Sequence, residues 1–205
     1  MVHPDGRLNK ASVPSVDGMR DANDRATEVS ILERVLGGQT GAYAEIFSRH
    51  RERAFALAFQ YLRNREDAKD VVQEAFIKAY QNLRRFDLSR SFGPWLLTIV
   101  RNLSVDTLRK RKHSGEELFD RIPDSHSRRA EDTVLRGEVW TALGKLSADH
   151  REIVFLRDYQ GHSYAEIAEI LRVPLGTVMS RLHHARRSLI LRLGEKERGH
   201  DLRKD

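Results

Sequence analysis

The sequence predicts an all-α protein with two small helical domains joined by a flexible linker, the C-terminal domain being a helix-turn-helix. Apolar residues recur at three- and four-residue steps through most of the chain, and no segment keeps the alternation of a β-strand for long. Residues 113–130 lose this periodicity and gain Ser, Pro, Gly and mixed charge, which is typical of a linker. After the linker, a short capped helix, a tight turn and a longer helix follow at helix-turn-helix spacing.

Changes in composition set the predicted domain boundaries. Residues 1–25 are rich in polar residues, Pro and Gly, and we expect them to form a disordered tail. The N-terminal helical domain then covers 26–112, the linker 113–130, the C-terminal domain 131–195 and a polar tail 196–205. A flexible linker of this length spans on the order of 25 Å, so the two domains could engage separate sites.

Three long helices are predicted in the N-terminal domain, after a short helical stretch from Thr27 that ends at the Gly37-Gly38 break. The first long helix starts near Tyr43. The second begins after Asn64, a good N-cap residue, with acidic residues in the first turn. The third opens near Gly93-Pro94, because proline suits a first helical turn, and ends in a basic run.

The C-terminal domain carries the strongest local pattern. Ser163 and Glu166 form a capping box that opens a short helix. The tight break at 172–174 follows, and then a final helix over about 175–193. We expect the second of these helices to be a recognition helix, which lies in the DNA major groove and reads base edges.

The composition excludes some classes of protein and favours an anionic partner. The net charge is +6 and the pI is about 9.8, while cysteine is absent, which excludes disulfides and thiolate metal sites. The N-terminal segment lacks the apolar core of a signal peptide, and no apolar run is long enough to span a bilayer. We therefore expect a cytoplasmic protein without membrane insertion.

Candidate DNA-binding residues lie on the recognition helix. Polar side chains there fit base edges, a methionine fits a thymine methyl, and the arginines fit phosphates. The predicted set is Thr177, Met179, Ser180, Arg181, His183, His184, Arg186 and Arg187. A surface helix with solvated arginines is the alternative, but the preceding capped helix and turn favour DNA.

A second candidate DNA surface follows the loop at 84–92. The helix after this loop concentrates basic and amide side chains, among them Arg101, Asn102, Arg109 and Lys110. Phe86 and Phe92 look exposed in the loop, and such rings can stack on or enclose an unpaired base. The alternative is that these aromatic residues belong to the core.

The second long helix carries an acidic face made of Asp67, Asp70, Gln73 and Glu74. Acidic groups repel DNA, so on a DNA-binding protein they are expected to face a protein partner. An ordinary solvated face is an equally acceptable interpretation of the spacing alone.

Three segments in order resemble regions 2 and 4 of the extracytoplasmic-function (ECF) sigma factors of the sigma-70 family. They are DAKDVVQEAFIKAY (67–80), FGPWLLTIVRNLSVDTLRKRK (92–112) and SYAEIAEILRVPLGTVMSRLHHARRSL (163–189). The resemblance implies a factor that binds core RNA polymerase and directs promoter recognition, promoter melting and transcription initiation, with no catalytic role, metal or cofactor.

The resemblance also implies a role for each surface. The acidic face would dock on the β′ clamp coiled coil, and the β flap of core polymerase is a further expected contact. The recognition helix would read the −35 element. The −10 element would be read and melted by the loop and the following helix, through Phe86, Asp87, Arg90, Ser91, Phe92, Arg101, Asn102, Arg109 and Lys110. An anti-sigma factor is a further expected partner.

Two other classes of protein remain as alternatives. The first is an enzyme, which is disfavoured because the sequence shows no nucleophile elbow, P-loop or dinucleotide-binding fingerprint. A dimeric helix-turn-helix regulator would explain the C-terminal domain, but not the acidic face or the basic helix.

Overall fold

The computed structural model describes the backbone of residues 16–114 and 143–201 and the side chains of 23–112 and 143–191. The helices in these ranges are α1 (Val16–Leu36), α2 (Tyr43–Leu62), α3 (Arg65–Asn82), α4 (Phe92–Ser114), α5 (Ala148–Val154), α6 (Tyr164–Leu171) and α7 (Leu175–Asp201). Short 3₁₀ turns lie at Thr40–Ala42 and Leu83–Arg85, and a π-helical turn lies at Phe155–Tyr159. Every regular element in these ranges is helical, which confirms the predicted all-α class.

The chain divides into two compact units after Ile46. In the first unit, α1 packs against the turn Thr40–Ala42 and buries Leu32. Because α1 begins at Val16, the prediction of disorder is wrong for residues 16–25. An existing helix extends at little cost, since each added residue gains a backbone hydrogen bond without a new nucleus. Such an extension needs no apolar stripe of its own, which explains why periodicity failed to find it.

In the second unit, α3 and α4 pack against each other through their apolar stripes. Asn64 caps α3 as predicted, because its side chain accepts hydrogen bonds from the backbone N–H groups of Glu66 and Asp67. The helix α4 runs to Ser114, so residues 113 and 114 of the predicted linker are helical. The rest of that linker, together with the first predicted stripe of the C-terminal domain up to residue 142, lies outside the described residues.

The C-terminal helices pack around α7, which contacts both α5 and α6. The buried side chains between these helices come from all three of them and include Ile153, Ile167, Val178 and Leu182. The helix α7 continues to Asp201, so residues 196–201 of the predicted polar tail are helical as well. Glu, Lys and Arg in this stretch are good helix formers that need no burial.

Helices of the two predicted domains also touch, because α4 packs against α6. The division between the two compact units falls inside α2. No helix of the described residues is long and apolar enough to cross a bilayer.

Candidate nucleic-acid interface

The predicted capping box at the start of α6 is confirmed. The backbone N–H of Ser163 donates to Oε2 of Glu166 at 2.8 Å, and the Glu166 N–H donates back to Ser163 Oγ at 3.2 Å. A hydrogen bond from His162 is the largest of the effects that lower the pKa of Glu166 to about 2, and the bonds from Ser163 add to it. The start of the helix-turn-helix is thus fixed by an ionised carboxylate.

The turn between α6 and α7 depends on one residue in the left-handed region. Arg172 has φ 54° and ψ 48°, which ends α6 after Leu171. The N–H of Val173 then donates to the carbonyl of Ala168 at 3.1 Å, and α7 begins at Leu175. Such a reversal in three residues sets the angle between the two helices that a helix-turn-helix requires.

Burial on α7 leaves its predicted reading face open. Val178, Leu182 and Ala185 are buried against the other helices, which fixes the rotation of α7 about its axis. Between them, Met179 is 51% exposed. Four more side chains of the predicted set are exposed: Ser180, His183, His184 and Arg187. Thr177 and Arg181 are less accessible, since both are half-buried.

Two of the predicted phosphate-binding arginines have carboxylate partners in the same domain. Arg181 lies 3.1 Å from Asp149 of α5, and Arg186 binds Asp158 of the π-helical turn. Within the part of the chain that the structure describes, Arg187 has no ion pair. Arg187 is therefore the predicted phosphate contact that needs no rearrangement to bind DNA.

The basic helix α4 is also paired in part. Arg101 bonds Glu152 at 2.7 Å, and Arg109 lies 3.6 Å from Asp106 one turn earlier. Lys110 and Asn102 are exposed on the same helix. This surface keeps its positive character, but Arg101 is not directed at solvent.

The expectation that Phe86 and Phe92 are exposed is wrong. Phe86 is 9% exposed and Phe92 is completely buried. The two rings pack edge to face at 5.8 Å, and Trp95 contacts both of them, at 4.6 Å from Phe86. Burial of the two phenylalanine rings against the half-buried Trp95 is more favourable than their exposure to water. The core alternative holds for these residues, and a base would have to displace them to make contact.

The polar loop residues between these rings remain accessible. Asp87 accepts a hydrogen bond from the backbone N–H of Ser89 at 2.9 Å, and bonds from Ser89 are the main cause of its lowered pKa. Arg90 is exposed and pairs with Glu169 of α6, while Ser91 is half-buried. Asp87 therefore shapes the turn, and Arg90 is bound to a carboxylate.

The acidic face of α3 is exposed at Asp70, Gln73 and Glu74, although Glu74 also pairs with Lys78 at 2.8 Å. Asp67 differs from them, because it is half-buried and bound to Arg111 of α4. Three of the four predicted residues thus form one accessible surface.

Sequence reasoning missed several residues beside these surfaces. Ile77 follows Gln73 by one turn and is 48% exposed, so it adds an apolar patch to the acidic face. Glu152 and Glu169, which bind predicted DNA-contacting arginines, were also missed. A glutamate beside the apolar run Ile153–Leu156 was the one available signal, since carboxylates are seldom buried without a partner.

The described residues contain no cluster of His, Asp or Glu that could hold a metal ion. The adjacent rings of His183 and His184 lie 5.6 Å apart at 76° to each other. Side chains at neighbouring helical positions diverge by about 100°, which suits contact with a groove better than ligation of one ion.

Two family profiles match the chain on the surfaces just described. The profile of Sigma-70 region 2 matches residues 46–114, and that of Sigma-70, region 4 matches residues 136–189. The first spans α3, the loop and α4, and the second spans α5, α6 and most of the recognition helix. The fold and the surfaces thus define a protein of the sigma-70 class.

Curated relatives narrow this class. The ECF RNA polymerase sigma factor SigW of Bacillus subtilis is 32% identical over 173 residues, which cover 77% of this chain and 92% of SigW. The ECF RNA polymerase sigma-E factor of Escherichia coli is 30% identical over 82% of this chain and 94% of its own length. The chain belongs to the ECF sigma factors of the sigma-70 family.

Solved structures with the same fold include two complexes. CnrH, in complex with the cytosolic domain of CnrY, matches with a TM-score of 0.63 and 26% identity, over 82% of this chain and 97% of CnrH. The sigma factor RpoE from Bartonella quintana, in complex with the anti-sigma factor NepR, matches with a TM-score of 0.61 and 26% identity, over 74% of this chain and 96% of RpoE.

Proposed function

We propose that this chain binds core RNA polymerase and directs it to a restricted set of promoters, where it starts transcription. One observation carries the proposal. A recognition helix with an open polar face and a separate helix with an exposed acidic face occur in the same chain. A protein that only binds DNA has no use for the second surface, whereas a subunit that brings an enzyme to DNA needs both.

The recognition helix α7 is proposed to read the −35 element. Its N-terminal half presents Thr177, Met179 and Ser180 above the buried core residues, as required for entry into a major groove. His183 and His184 extend this face, and Arg187 adds a phosphate contact. The family match over residues 136–189 supports this assignment.

The loop after α3 and the exposed side of α4 are proposed to bind the −10 element and assist melting. Asn102, Arg109 and Lys110 offer amide and cationic groups along α4, and Asp87 and Arg90 lie on the loop. Capture of an extruded base offsets the unstacking cost of a few kcal/mol, so no nucleotide hydrolysis is required. Because Phe86 and Phe92 are buried, we assign base capture to the polar loop residues rather than to the rings.

The acidic face of α3 is proposed to dock on the β′ clamp coiled coil, and the C-terminal domain on the β flap. Asp70, Gln73 and Glu74 provide acceptors for basic groups of the partner, and the exposed Ile77 provides apolar contact. A polar patch beside an apolar one is the usual composition of a protein interface.

An anti-sigma factor is proposed as a further partner. Both solved relatives described above are complexes, one with the cytosolic domain of CnrY and one with the anti-sigma factor NepR. Their likeness to this chain supports a similar inhibitory partner, whose identity no residue of this chain specifies.

Run-off transcription tests the proposed function. Purified core polymerase without its own specificity subunit would be mixed with the chain and fragmented genomic DNA of the source organism. We expect discrete transcripts that core alone does not produce. Absence of chain-dependent transcripts would reject the proposal, and tight binding of a palindrome by a dimer without core would favour the regulator alternative.

A further inference from the structure

A polar groove lies between α3 and α4, and we refer to it as the α3–α4 groove. Its lining comes from both helices and includes Glu74 and Lys78 of α3 and Leu103, Asp106, Arg109 and Lys110 of α4. Leu103 is buried, whereas the charged side chains are all exposed. With about 580 Å³ of space, the groove can admit a charged group of a partner.

The charged lining consists of three cations and two carboxylates. Each carboxylate is paired with a cation of its own helix. Oε1 of Glu74 lies 2.8 Å from Nζ of Lys78, and Oδ1 of Asp106 lies 3.6 Å from Nη2 of Arg109. Exposed pairs three or four residues apart contribute little stability, because water and salt compete for both partners. The cations of the groove are therefore able to bind a stronger anionic ligand.

The groove borders the surface of α4 that is proposed to bind the −10 element. Asn102, Asp106 and Arg109 follow one another at steps of four and three residues, so they lie on one face of α4. Lys110 is rotated from Arg109 by about 100° around the helix axis and lines the groove together with Lys78. A DNA backbone that crosses the exposed face of α4 would therefore pass close to α3.

We propose that the α3–α4 groove holds a backbone phosphate of the promoter duplex next to the −10 element, with Lys78 as the cation that α3 contributes. The ligand is a phosphodiester, which is recognised by its charge and not by the base attached to it. The inference rests on the proposed function, because it takes the −10 surface of α4 and adds a contact from a second helix.

Docking on polymerase favours this contact. Glu74 belongs to the acidic face that is proposed to bind basic groups of core polymerase, and in the free chain it also binds Lys78. When a basic group of core pairs with Glu74, the negative charge that this carboxylate adds to the groove is neutralised. The ammonium group of Lys78 then forms its charge-assisted hydrogen bond with a phosphate instead. Neighbouring turns of α3 thus serve the enzyme and the DNA.

The alternative role of Lys78 is that of an ordinary ion pair within α3. Lys69 offers a close comparison, because it pairs with Glu66 at 2.8 Å on the same helix but does not line the groove. The two lysine side chains are similarly exposed, at 51% for Lys69 and 47% for Lys78. An effect of replacing Lys78 that replacing Lys69 does not reproduce therefore arises in the groove.

The salt dependence of promoter binding tests the contact. Holoenzymes assembled from core polymerase and each variant would bind a promoter fragment recovered by run-off transcription, over a range of potassium chloride concentrations. Loss of one phosphate contact reduces the slope of log affinity against log salt by about 0.9. We expect this reduction in Lys78→Met and the wild-type slope in Lys78→Arg and Lys69→Met. A wild-type slope in Lys78→Met, or an equal reduction in both methionine variants, would overturn the proposal.

The absence of cysteine from the chain allows a direct test of what occupies the groove. Lys78→Cys and Lys69→Cys would each be labelled with a short photo-crosslinker and assembled into holoenzyme on the same promoter fragment. We expect the label at position 78 to react with DNA and the label at position 69 not to do so. Reaction of the label at position 78 with polymerase alone would assign the groove to a protein partner and overturn the proposal.

These outcomes differ from a failure of the proposed function. If the wild-type chain gives no chain-dependent transcripts, the proposed function is rejected together with the contact that rests on it. If the wild-type chain supports transcription while Lys78→Met keeps the wild-type salt slope, only the phosphate site is rejected. Circular dichroism and the affinity of each variant for core polymerase check that α3 remains folded and still docks.

Discussion

Arg186 of the recognition helix forms two hydrogen bonds with Asp158, one of them from Nε to Oδ2 at 3.3 Å. The hydrogen bonding of Arg186 to the carboxylate of Asp158 is the main reason that the pKa of Arg186 is raised. Asp158 lies in the π-helical turn Phe155–Tyr159, so the pair fastens α7 to the segment that precedes the helix-turn-helix. Arg186 thus orients α7, while its neighbour Arg187 forms no ion pair among the described residues.

Alanine variants of these two arginines are expected to differ in kind. Arg186→Ala should lower the free energy of unfolding by about 0.5–1 kcal/mol, since the pair is partly exposed. Arg187→Ala should leave unfolding unchanged, weaken binding to all promoters alike and reduce the salt slope by about 0.9. Urea unfolding and salt titrations of holoenzyme binding measure these effects. A promoter-selective loss in Arg187→Ala would contradict the phosphate assignment.

His183 and His184 are expected to affect sequence preference instead. Both rings are exposed on the reading face of α7, next to Met179. Replacing a histidine that contacts a base should alter discrimination at that base pair by roughly 1–3 kcal/mol. Selection of −35 sequences from a random library by holoenzymes of the two alanine variants would show it. An unchanged −35 sequence preference in both variants would show that neither histidine contributes to base recognition.

Charge reversal at Asp70 should weaken binding to core polymerase. Asp70 is exposed at the centre of the acidic face and, unlike Glu74, is not paired one turn away with a lysine. Asp70→Lys is expected to lower affinity at least tenfold, because like charges at an interface cost several kcal/mol. Fluorescence anisotropy with labelled chain measures the affinity, and Glu33→Lys on α1 is the control. Equal affinity in both variants would move the docking surface elsewhere.

Phe92→Ala separates a core role from contact with a base. The side chain has no exposed surface, so its truncation should destabilise the chain by about 3–5 kcal/mol. Phe92→Leu keeps most of the volume and should cost much less. Urea unfolding monitored by tryptophan fluorescence follows the change, since the ring of Trp95 lies 5.5 Å from that of Phe92. An alanine variant with normal stability but defective promoter melting would restore the base-contact interpretation.

Glu166 predicts a pH dependence of stability. Its pKa is about 2 in the folded chain, against a usual value of 4.5, chiefly because of the hydrogen bond from His162. A carboxylate with a lowered pKa stabilises the fold fully above the unfolded value and loses this effect as the pH falls towards the folded value. The difference in unfolding free energy between wild type and Glu166→Gln should therefore be constant above about pH 5.5 and vanish near pH 2. A difference that persists unchanged at pH 2.5 would contradict this.

Much of the fold could be predicted because local signals act over a few residues. Asn64, Ser163 and the break at 172–174 determine helix ends through contacts with their nearest neighbours. The apolar stripe of α3 is buried as its period implies from Ala68 to Ala79, whereas Tyr80 is 41% exposed. The terminal extensions of α1 and α7 were missed because the sequence of these stretches shows no apolar period.

The surfaces were harder to predict because their accessibility depends on distant residues. Phe86 lies in a polar loop and Phe92 begins α4 directly after it, and only their packing against Trp95 shows that they are core. Arg101 looked like a DNA contact because its partner, Glu152, is far along the chain. No spacing rule relates residues of two separate helical segments, so only the three-dimensional structure shows that Arg101 pairs with Glu152.

The π-helical turn at Phe155–Tyr159 has a geometric consequence for the whole domain. The N–H of Gln160 donates to the carbonyl of Phe155 five residues earlier, so the turn holds one residue more than an α-helix would. Each residue turns a helix by about 100°. Removing one residue between Leu156 and Asp158 would rotate Asp158 by about 100° about the helix axis relative to Leu156. Asp158 would then lose its hydrogen bonds with Arg186 of α7. One additional residue in the π-helical turn thus sets the orientation of the helix that is proposed to read the −35 element.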